Sequence, residues 1–552
     1  MTEQVLGAAP VAARNSQTLV IAGASIGTLF EWYDFFLYGA LASDIAKRFF
    51  AGVDDTLSFV LALTAFGAGF AVRPLGALIF GRIGDIVGRK TTFLITMVLM
   101  GASTFLIGVL PDFGVIGLAA PVLLVVLRLT QGLAVGGEYG GAAIYVAEHA
   151  PANRRGLATS WINAMATLGL VLSLVVIVGC RLLLPAETFS AWGWRLPFLA
   201  SALLLGVSLW IRMRLGESPV FQKLKEEGKL SKAPVAESFA NWRGVKTVLL
   251  IVFGVVAGST TIWYAAQFYA LFFLERTLKL DGLTADALMA LALAISAPSY
   301  LLMGWLSDKI GRKPVLMAGC ALGAVLMFPM FQLLTEAANP ALAAAQRSAP
   351  VIVYADPDTC SVQFDPLNRG HFTARACDVT KAYLSRAGVS YSSVHAPTGA
   401  TVNVHVGTAI VHAPDLQSLS PAARASATEA FQTQLRGALD AVGYPATADP
   451  ARINMPLVVA IIVLLSVLAA MGYAPAAAFL VELFPARVRY TSFSVPYHLG
   501  VGWIGGFLPA TAFAIVAATG DIYAGLWYPV IFATITTIVG VLLLPETRGR
   551  AI

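Results

Sequence analysis

Gly81-Arg-Ile-Gly-Asp85-Ile-Val-Gly88-Arg89-Lys90 and Gly304-Trp-Leu-Ser-Asp308-Lys-Ile-Gly311-Arg312-Lys313 are one phrase written twice. Gly, Asp, Gly, Arg and Lys stand at matching places, 223 residues apart. A second pair, Glu148-His-Ala-Pro151 followed by Arg155 and Glu482-Leu-Phe-Pro485 followed by Arg489, repeats at 334 residues. The chain is therefore two related halves. The difference between the spacings, 111 residues, measures an insertion in the second half, near 339 to 454.

Around these phrases the chain is apolar. Of 552 residues, 57% are hydrophobic and 12% charged, which excludes a soluble domain and makes a membrane the solvent. A hydrocarbon core about 30 Å thick needs roughly 20 apolar residues per helix. Twelve such stretches are present, near 18–42, 57–80, 92–110, 120–147, 158–184, 194–213, 247–274, 286–306, 314–335, 455–480, 491–518 and 522–544. The expected architecture is an all-α membrane protein of twelve helices with a small α/β insertion. Its parts are a six-helix half (1–213), a linker (214–246), a second half (247–338 and 453–552) and the insertion (339–452). Residues 1–17 carry one Arg and no short apolar run ending in a cleavage site, so no removable signal is expected.

The net charge of +6 is a matter of topology rather than of nucleic acid. Lys and Arg crowd alternate loops, at Arg82, Arg89 and Lys90, at Arg154 and Arg155, at Lys223 to Lys232, at Lys309 to Lys313, at Arg487 and Arg489, and at Arg548 and Arg550. The positive-inside rule then predicts cytoplasmic termini and linker in a multi-pass inner-membrane protein. The insertion joins spans nine and ten, which predicts a place outside the cytoplasm. It alternates strand-like pieces (350–354, 401–406) with helices (377–387, 421–442). An oxidising compartment there would permit a disulfide between Cys360 and Cys377, whereas Cys180 and Cys320 fall in apolar segments as packing residues. Asp356-Pro-Asp358 and the scattered histidines have no metal-ligand spacing.

Twelve spans in two halves, with Gly-x-x-x-Asp-x-x-Gly-Arg-Lys after spans two and eight, resemble the major facilitator superfamily. More narrowly, Phe30-Glu31-Trp32-Tyr33-Asp34-Phe35-Phe36-Leu37-Tyr38-Gly39, Arg73-Pro74-Leu75-Gly76, Arg128-Leu-Thr-Gln131-Gly132 with Gly136-Gly137-Glu138, and Glu217-Ser218-Pro219 resemble the metabolite:proton symporter family. The length and the extra domain look most like haloacid permeases that accompany 2-haloacid dehalogenases. The resemblance implies inward movement of organic acids, betaine, proline or haloacids with protons, and leaves the substrate open. It also implies that Asp85 and Asp308, with Arg89, Arg312, Glu148 and Glu482, close a cytoplasmic gate across the halves. Ile86 stands where the superfamily usually has a basic residue, so a latch that used Lys309 would be asymmetric.

Charged groups inside spans are costly and mark functional sites. Glu31 and Asp34, three apart, share a face of the first helix. Two carboxylates in a low dielectric should not both stay ionised, which is what a proton carrier needs. Arg128 would neutralise the deprotonated form and Glu138 accept the proton next; a permanent Asp34–Arg128 strut is the alternative. Arg73, about 12 Å from Gly81 at 1.5 Å per residue, either binds a substrate carboxylate or pins the helix end at the interface. Candidate substrate contacts are Arg73, Tyr33, Asn163, Thr167, Trp263, Tyr264, Gln267 and His498, in an aromatic wall with Tyr269, Tyr473, Tyr497 and Trp503. Pro496 breaks the helix beside them.

The expected function is proton-coupled import of a small organic anion by alternating access, with haloacetate or 2-halopropionate as first substrate. A larger carboxylate or a zwitterionic osmolyte of the betaine or proline type is the alternative, and a transporter-like sensor reading a ligand through the insertion is a different class. No nucleophile with a base, phosphate loop or metal cluster suggests an enzyme. The expected partners are protons, a small anion and the bilayer, with no cofactor and no nucleic acid, acting as a monomer.

Overall fold

The computed structural model describes residues 12–51, 55–213, 219–356, 360, 375–414, 416–550 and 552, and among these the side chains of 12–24, 55–57, 59, 60, 89, 211, 212, 219, 220 and 421 are left aside. Glu217, Ser218 and Asp358 lie outside the described residues, as do residues 1–11, most of the stretch in which no removable signal is expected. Eleven helices among them are long and apolar enough to span a bilayer. They are span 2 (Leu61–Ile86), span 3 (Lys90–Val109), span 4 (Ala119–His149), span 5 (Ala152–Leu183) and span 6 (Gly193–Trp210), followed by span 7 (Trp242–Thr277), span 8 (Gly282–Ile310), span 9 (Arg312–Ala338), span 10 (Met455–Leu483), span 11 (Ala486–Thr519) and span 12 (Ala524–Leu543). The 29-residue helix Ala12–Ala40 precedes them as span 1 and reaches about 43 Å. Exposed apolar side chains such as Leu203, Val325 and Leu542 are the lipid-facing surface such a bundle requires.

The repeated phrase is helix rather than loop. Gly81 to Ile86 completes span 2, and the chain turns only at Gly88 (φ 134°) and its twin Gly311 (φ 112°), a conformation that a side chain would strain. Span 2 is itself two helices, Asp55–Ala71 and Arg73–Ile86, because Pro74 has no N–H to continue the ladder. Spans 2 and 4 then meet backbone to backbone. A Cβ at Gly132 would lie 1.8 Å from the Gly69 carbonyl oxygen, and one at Gly136 2.3 Å from that of Arg73. The glycines of the span 4 motif thus set the depth at which Arg73 sits.

Across the halves, span 2 packs on span 11 and span 5 on span 8. Span 7 carries three π-helical turns (Val252–Val256, Ala265–Tyr269, Phe273–Thr277) and span 11 a fourth, Gly500–Gly505, beyond Pro496. Such turns redirect side chains and recur at functional sites.

The insertion forms helix α1 (Pro340–Ser348), β1 (Val351–Ala355), α2 (Ala376–Ala387), β2 (Tyr391–His395), β3 (Asn403–Val406), β4 (Ala409–His412) and α3 (Pro421–Ala441). The sheet order is β2-β1-β3-β4, with β1 and β2 parallel across α2 and the other pairs antiparallel. Val351, Val353, Val404 and Val406 bury against Leu384, Leu435 and Leu439. Cys360 and Cys377 are joined as a disulfide, with Cα atoms 5.3 Å apart. The domain rides on the second half. Tyr391 N–H donates to the Gly520 carbonyl (2.9 Å), Ala448 N–H to that of Lys279 (3.0 Å), and the Lys279 amine to the carbonyl of Arg386. Lys279 holds a positive φ of 61° between these contacts.

Candidate functional site

Asp85 and Asp308 lie at one end of the bundle, the motif end; the insertion lies at the other. At the motif end Asp85 accepts from Tyr490 N–H (3.3 Å), Thr491 N–H (3.0 Å) and the Thr491 hydroxyl (2.9 Å), at the N-terminus of the helix that opens span 11. Its twin Asp308 accepts from Gly156 N–H (2.9 Å) and Leu157 N–H (2.8 Å), at the N-terminus of the span 5 helix. Each aspartate meets the free N–H groups and positive dipole end of a helix from the other half. Two buried ion pairs repeat the exchange, Glu148 with Arg489 (2.9 Å) and Glu482 with Arg155 (3.0 Å). Arg312 joins Asp308 (2.5 Å) to Glu482 (3.3 Å). The Arg89 side chain lies outside the described residues.

Lys309 is exposed and takes no part in these bonds, so its charge is not the source of asymmetry. The asymmetry comes instead from the C-terminal segment. Glu546 accepts from the N–H groups of Arg312 and Lys313, Thr547 donates to Glu482 (2.9 Å), and Arg155 donates to the Arg550 carbonyl (3.2 Å).

Between the ends, Trp32, Tyr139, Asn163, Trp263, Tyr264, Tyr473 and Tyr497 wall a pinched central cavity drawn from both halves. Tyr139 stacks on Tyr497 at 4.3 Å, and Trp32 stands 6.5 Å from Trp263. Asn163 accepts from the Tyr139 hydroxyl (2.8 Å) and donates to the Tyr473 carbonyl (3.0 Å). One helical turn away on span 5, Thr167 accepts from Gln267, whose amide nitrogen also approaches the Tyr300 hydroxyl at 3.2 Å. Asn163, Trp263 and Tyr264 therefore line the cavity, and Thr167 and Gln267 bond each other across the halves.

Arg73 is 0% exposed, so it does not reach an interface. Its guanidinium lies 4.2 Å from the Phe70 ring centre, 4.3 Å from Phe35 and 5.7 Å from Trp32. No carboxylate pairs with it among the described residues; the Tyr264 hydroxyl is its side-chain hydrogen-bonding neighbour, and Tyr473 and Tyr497 stand within electrostatic reach. His498 is equally buried beside it, with both ring nitrogens unbonded. Stacking on ring faces stabilises a buried guanidinium without using its N–H donors, so donors beyond the one facing Tyr264 can take an anion.

The Asp34–Arg128 pair does not form. Arg128 stacks on Phe35 (4.7 Å) and Tyr38 (4.5 Å) and donates to Gln131 (2.6 Å) and to the Phe66 carbonyl (3.5 Å), while Gln131 donates to Thr104. It ties spans 2, 3 and 4 together. Asp34 is one residue, or 100° of helix, away from Phe35, and the charge that acts on it is that of Glu31. Glu31 does meet Glu138: both line a small cavity with Val135 that shares Trp32 and Tyr139 with the central one.

Three further expectations are corrected. Tyr33 turns away from the cavity and donates to the Pro197 carbonyl (2.7 Å), one step round the helix from Trp32. Tyr269 packs on Phe331 and Phe513. Trp503 is 55% exposed and donates to Ala71. The residues that sequence reasoning missed are Trp32, Tyr139 and Tyr300. Tyr139 had a signal: an aromatic ring, next to Glu138, among Gly136, Gly137, Gly140 and Gly141.

The Major Facilitator Superfamily profile matches residues 24–353. The proline/betaine transporter of Escherichia coli (strain K12) is 35% identical over 331 residues, 57% of this chain and 64% of its own length. The shikimate transporter of the same strain is 36% identical over 318 residues, covering 56% of this chain and 71% of that protein. The chain thus spans less than two thirds of the length of the first of these relatives. The partially occluded inward-open structure of the xylose transporter XylE from E. coli aligns with a TM-score of 0.60 at 16% identity, over 98% of this chain and 100% of that one.

Proposed function

The chain belongs to the Major Facilitator Superfamily, and on that premise we propose that it is a proton-coupled symporter importing a small carboxylate-bearing metabolite by alternating access. The basic loops support a cytoplasmic motif end and termini in a bacterial inner membrane, with the insertion on the periplasmic side. The observation that carries the reading is Arg73. A buried guanidinium that no carboxylate neutralises costs several kcal/mol unless an anion completes it, and Arg73 adjoins Trp32, Tyr264, Tyr473 and Tyr497 in the wall of a cavity shared by both halves. That is the midplane position where a rocking transporter holds its substrate.

The cavity's walls reorder the substrate classes. Four tyrosines and two tryptophans form an aromatic cage, the environment that binds a quaternary or secondary ammonium, and Glu31 and Glu138 lie just beyond it. A zwitterion would place its carboxylate on Arg73 and its cationic end in the cage. The names of the proline/betaine relatives accord with this. A short monocarboxylate such as haloacetate uses only the Arg73 end, and the pinched volume favours it as the second reading. Glu31 and Asp34, with Glu138, carry the coupling proton, and Arg128 is a helix tie.

Uptake of radiolabelled glycine betaine and chloroacetate into proteoliposomes with an inward proton gradient tests the proposal. Betaine should accumulate, collapse with protonophore, and be lost in Arg73→Ala by at least about 100-fold. Accumulation that survives both protonophore and Asp34→Asn would refute the coupling. Chloroacetate uptake without betaine uptake would reverse the substrate order, and binding without flux of either would favour the sensor.

A further inference from the structure

Outside the central site, a buried carboxylate among the described residues lacks a hydrogen bond. Asp286, in the first turns of span 8 at the insertion end, is 0% exposed, and neither carboxylate oxygen has a hydrogen-bond partner. The cation that approaches it, Arg181 of span 5, stands 3.9 Å away and is already bonded to Asp44 at 3.2 Å. Arg181 belongs to the first half and Asp286 to the second, so the contact closes the mouth between them. Span 8 begins with Gly282 against this contact: a Cβ there would lie 2.6 Å from the Arg181 guanidinium, which would have to shift.

The other groups facing Asp286 add negative charge. Glu275 of span 7 and Asp44 both act on it, and Asp281 does so from the turn before span 8, where its oxygen caps Thr284 N–H (2.9 Å). Arg276 also reaches across the mouth, but to the Ser43 hydroxyl (2.7 Å), and acts on Asp44 and Glu275. Lys47 and Arg48 face Asp44 from its own helix. Burial holds the Asp44 carboxyl above its usual value even against Arg181, Lys47, Arg48 and Arg276. The cluster is not a cation site, since two guanidiniums occupy it. Nor is it a permanent ion-pair strut, because a strut would place Asp286 within hydrogen-bond distance of Arg181.

We propose that Asp286 is a second proton-binding site of this protein, at the outer mouth, and that its protonation from external water is the condition for that mouth to close. With the mouth open, Asp286 is hydrated and ionised. Closure strips its water and offers no donor in exchange, so a proton from external hydronium forms the O–H bond on the carboxylate and leaves one water behind. Reopening returns it to external water. The proton gates; it is not the one carried with substrate. The inference rests on the outward assignment of the insertion end made above.

The test follows the mouth without transport. Spin labels at Leu118→Cys and Ala518→Cys, both exposed at the insertion end on opposite halves, in a Cys180→Ala background, report its width in reconstituted full-length protein. The closed population should rise as external pH falls from about 8 to about 5. Asp286→Asn, a neutral side chain of the same shape, should stay closed throughout, and Glu275→Gln should move the midpoint to lower pH. A wild-type distance distribution that ignores pH, or an Asp286→Asn variant that keeps the wild-type response, would overturn the proposal. If the mouth titrates through Asp286 while no substrate accumulates, the gate stands and the import reading fails. If import is proton-coupled and the mouth does not titrate, the gate alone fails.

Discussion

The two ends of the bundle are closed by different physics. At the motif end the carboxylates are met: Asp85 and Asp308 by helix N-termini, Glu148 and Glu482 by buried arginines, each across the halves. At the insertion end ring packing does most of the closing, with Phe36 on Trp263 (5.6 Å) and Phe268 (5.0 Å) and Phe66 on Phe268 (5.6 Å), and the buried Asp286 is left unbonded. Complementary charges brought together in low dielectric close without help from solvent, whereas an unmatched carboxylate closes only when it is neutral. One end is a latch; the other is conditional on the proton outside.

The largest effect should come from Glu482, which holds Arg155, Arg312 and Thr547 at once. Glu482→Ala leaves two buried guanidiniums short of a partner, and breaking such a pair typically costs about 3–5 kcal/mol. The expected outcome is a motif end that opens, read as new labelling of cysteines placed along spans 5 and 8, with the insertion end still responding to pH. Loss of both together would mean that the ends are not independent.

Next are the twin aspartates. Asp85→Ala and Asp308→Ala should each destabilise the closed motif end by about 1.5–3 kcal/mol, the range for hydrogen bonds to a charged acceptor. Asp→Asn at either position keeps an oxygen acceptor for the helix N–H groups and should recover part of that loss. If Asn does no better than Ala, charge at the helix terminus, rather than the hydrogen bonds, is the working quantity. Thermal melts of the four variants in the same lipid separate these outcomes.

What was legible in the sequence follows the same division. The motif end repeats, so spacing singles out Asp85, Asp308, Glu148 and Glu482, while their closing role is what the family resemblance implies. Arg73 could be read because a charge inside a span needs a reason. The Asp34–Arg128 pairing could not be read correctly, because which neighbour a residue meets depends on 100° steps, and Phe35 and Tyr38 intervene. Trp32 was hidden among many aromatics that face lipid or core, whereas Tyr139 stood out among glycines. Asp286, Arg181 and Glu275 gave no pattern, since they come from three spans near their ends, where charges ordinarily meet water. The polar edge strand β2, Tyr-Ser-Ser-Val-His, lacked the apolar alternation that revealed β1 and β3.

The smallest effect sharpens the contrast most. Glu546 reinforces the motif end at the loop opening span 9. Burial opposes its charge, yet the backbone N–H groups of Arg548, Arg312, Lys313 and Thr547 hold its carboxyl below the usual value. A depressed carboxylate contributes stability that is fully present above its unfolded pKa and is lost as pH falls through the folded one. Glu546 should therefore hold at neutral pH and release only in acid, below the usual carboxylate range. Because the group is partly exposed, Glu546→Gln should cost under about 1 kcal/mol at pH 7 and nothing further in strong acid. Labels at the motif end should accordingly show no transition between about pH 8 and 5, the interval in which the insertion end closes. A motif end that titrated in that interval would erase the distinction between a latch and a conditional gate.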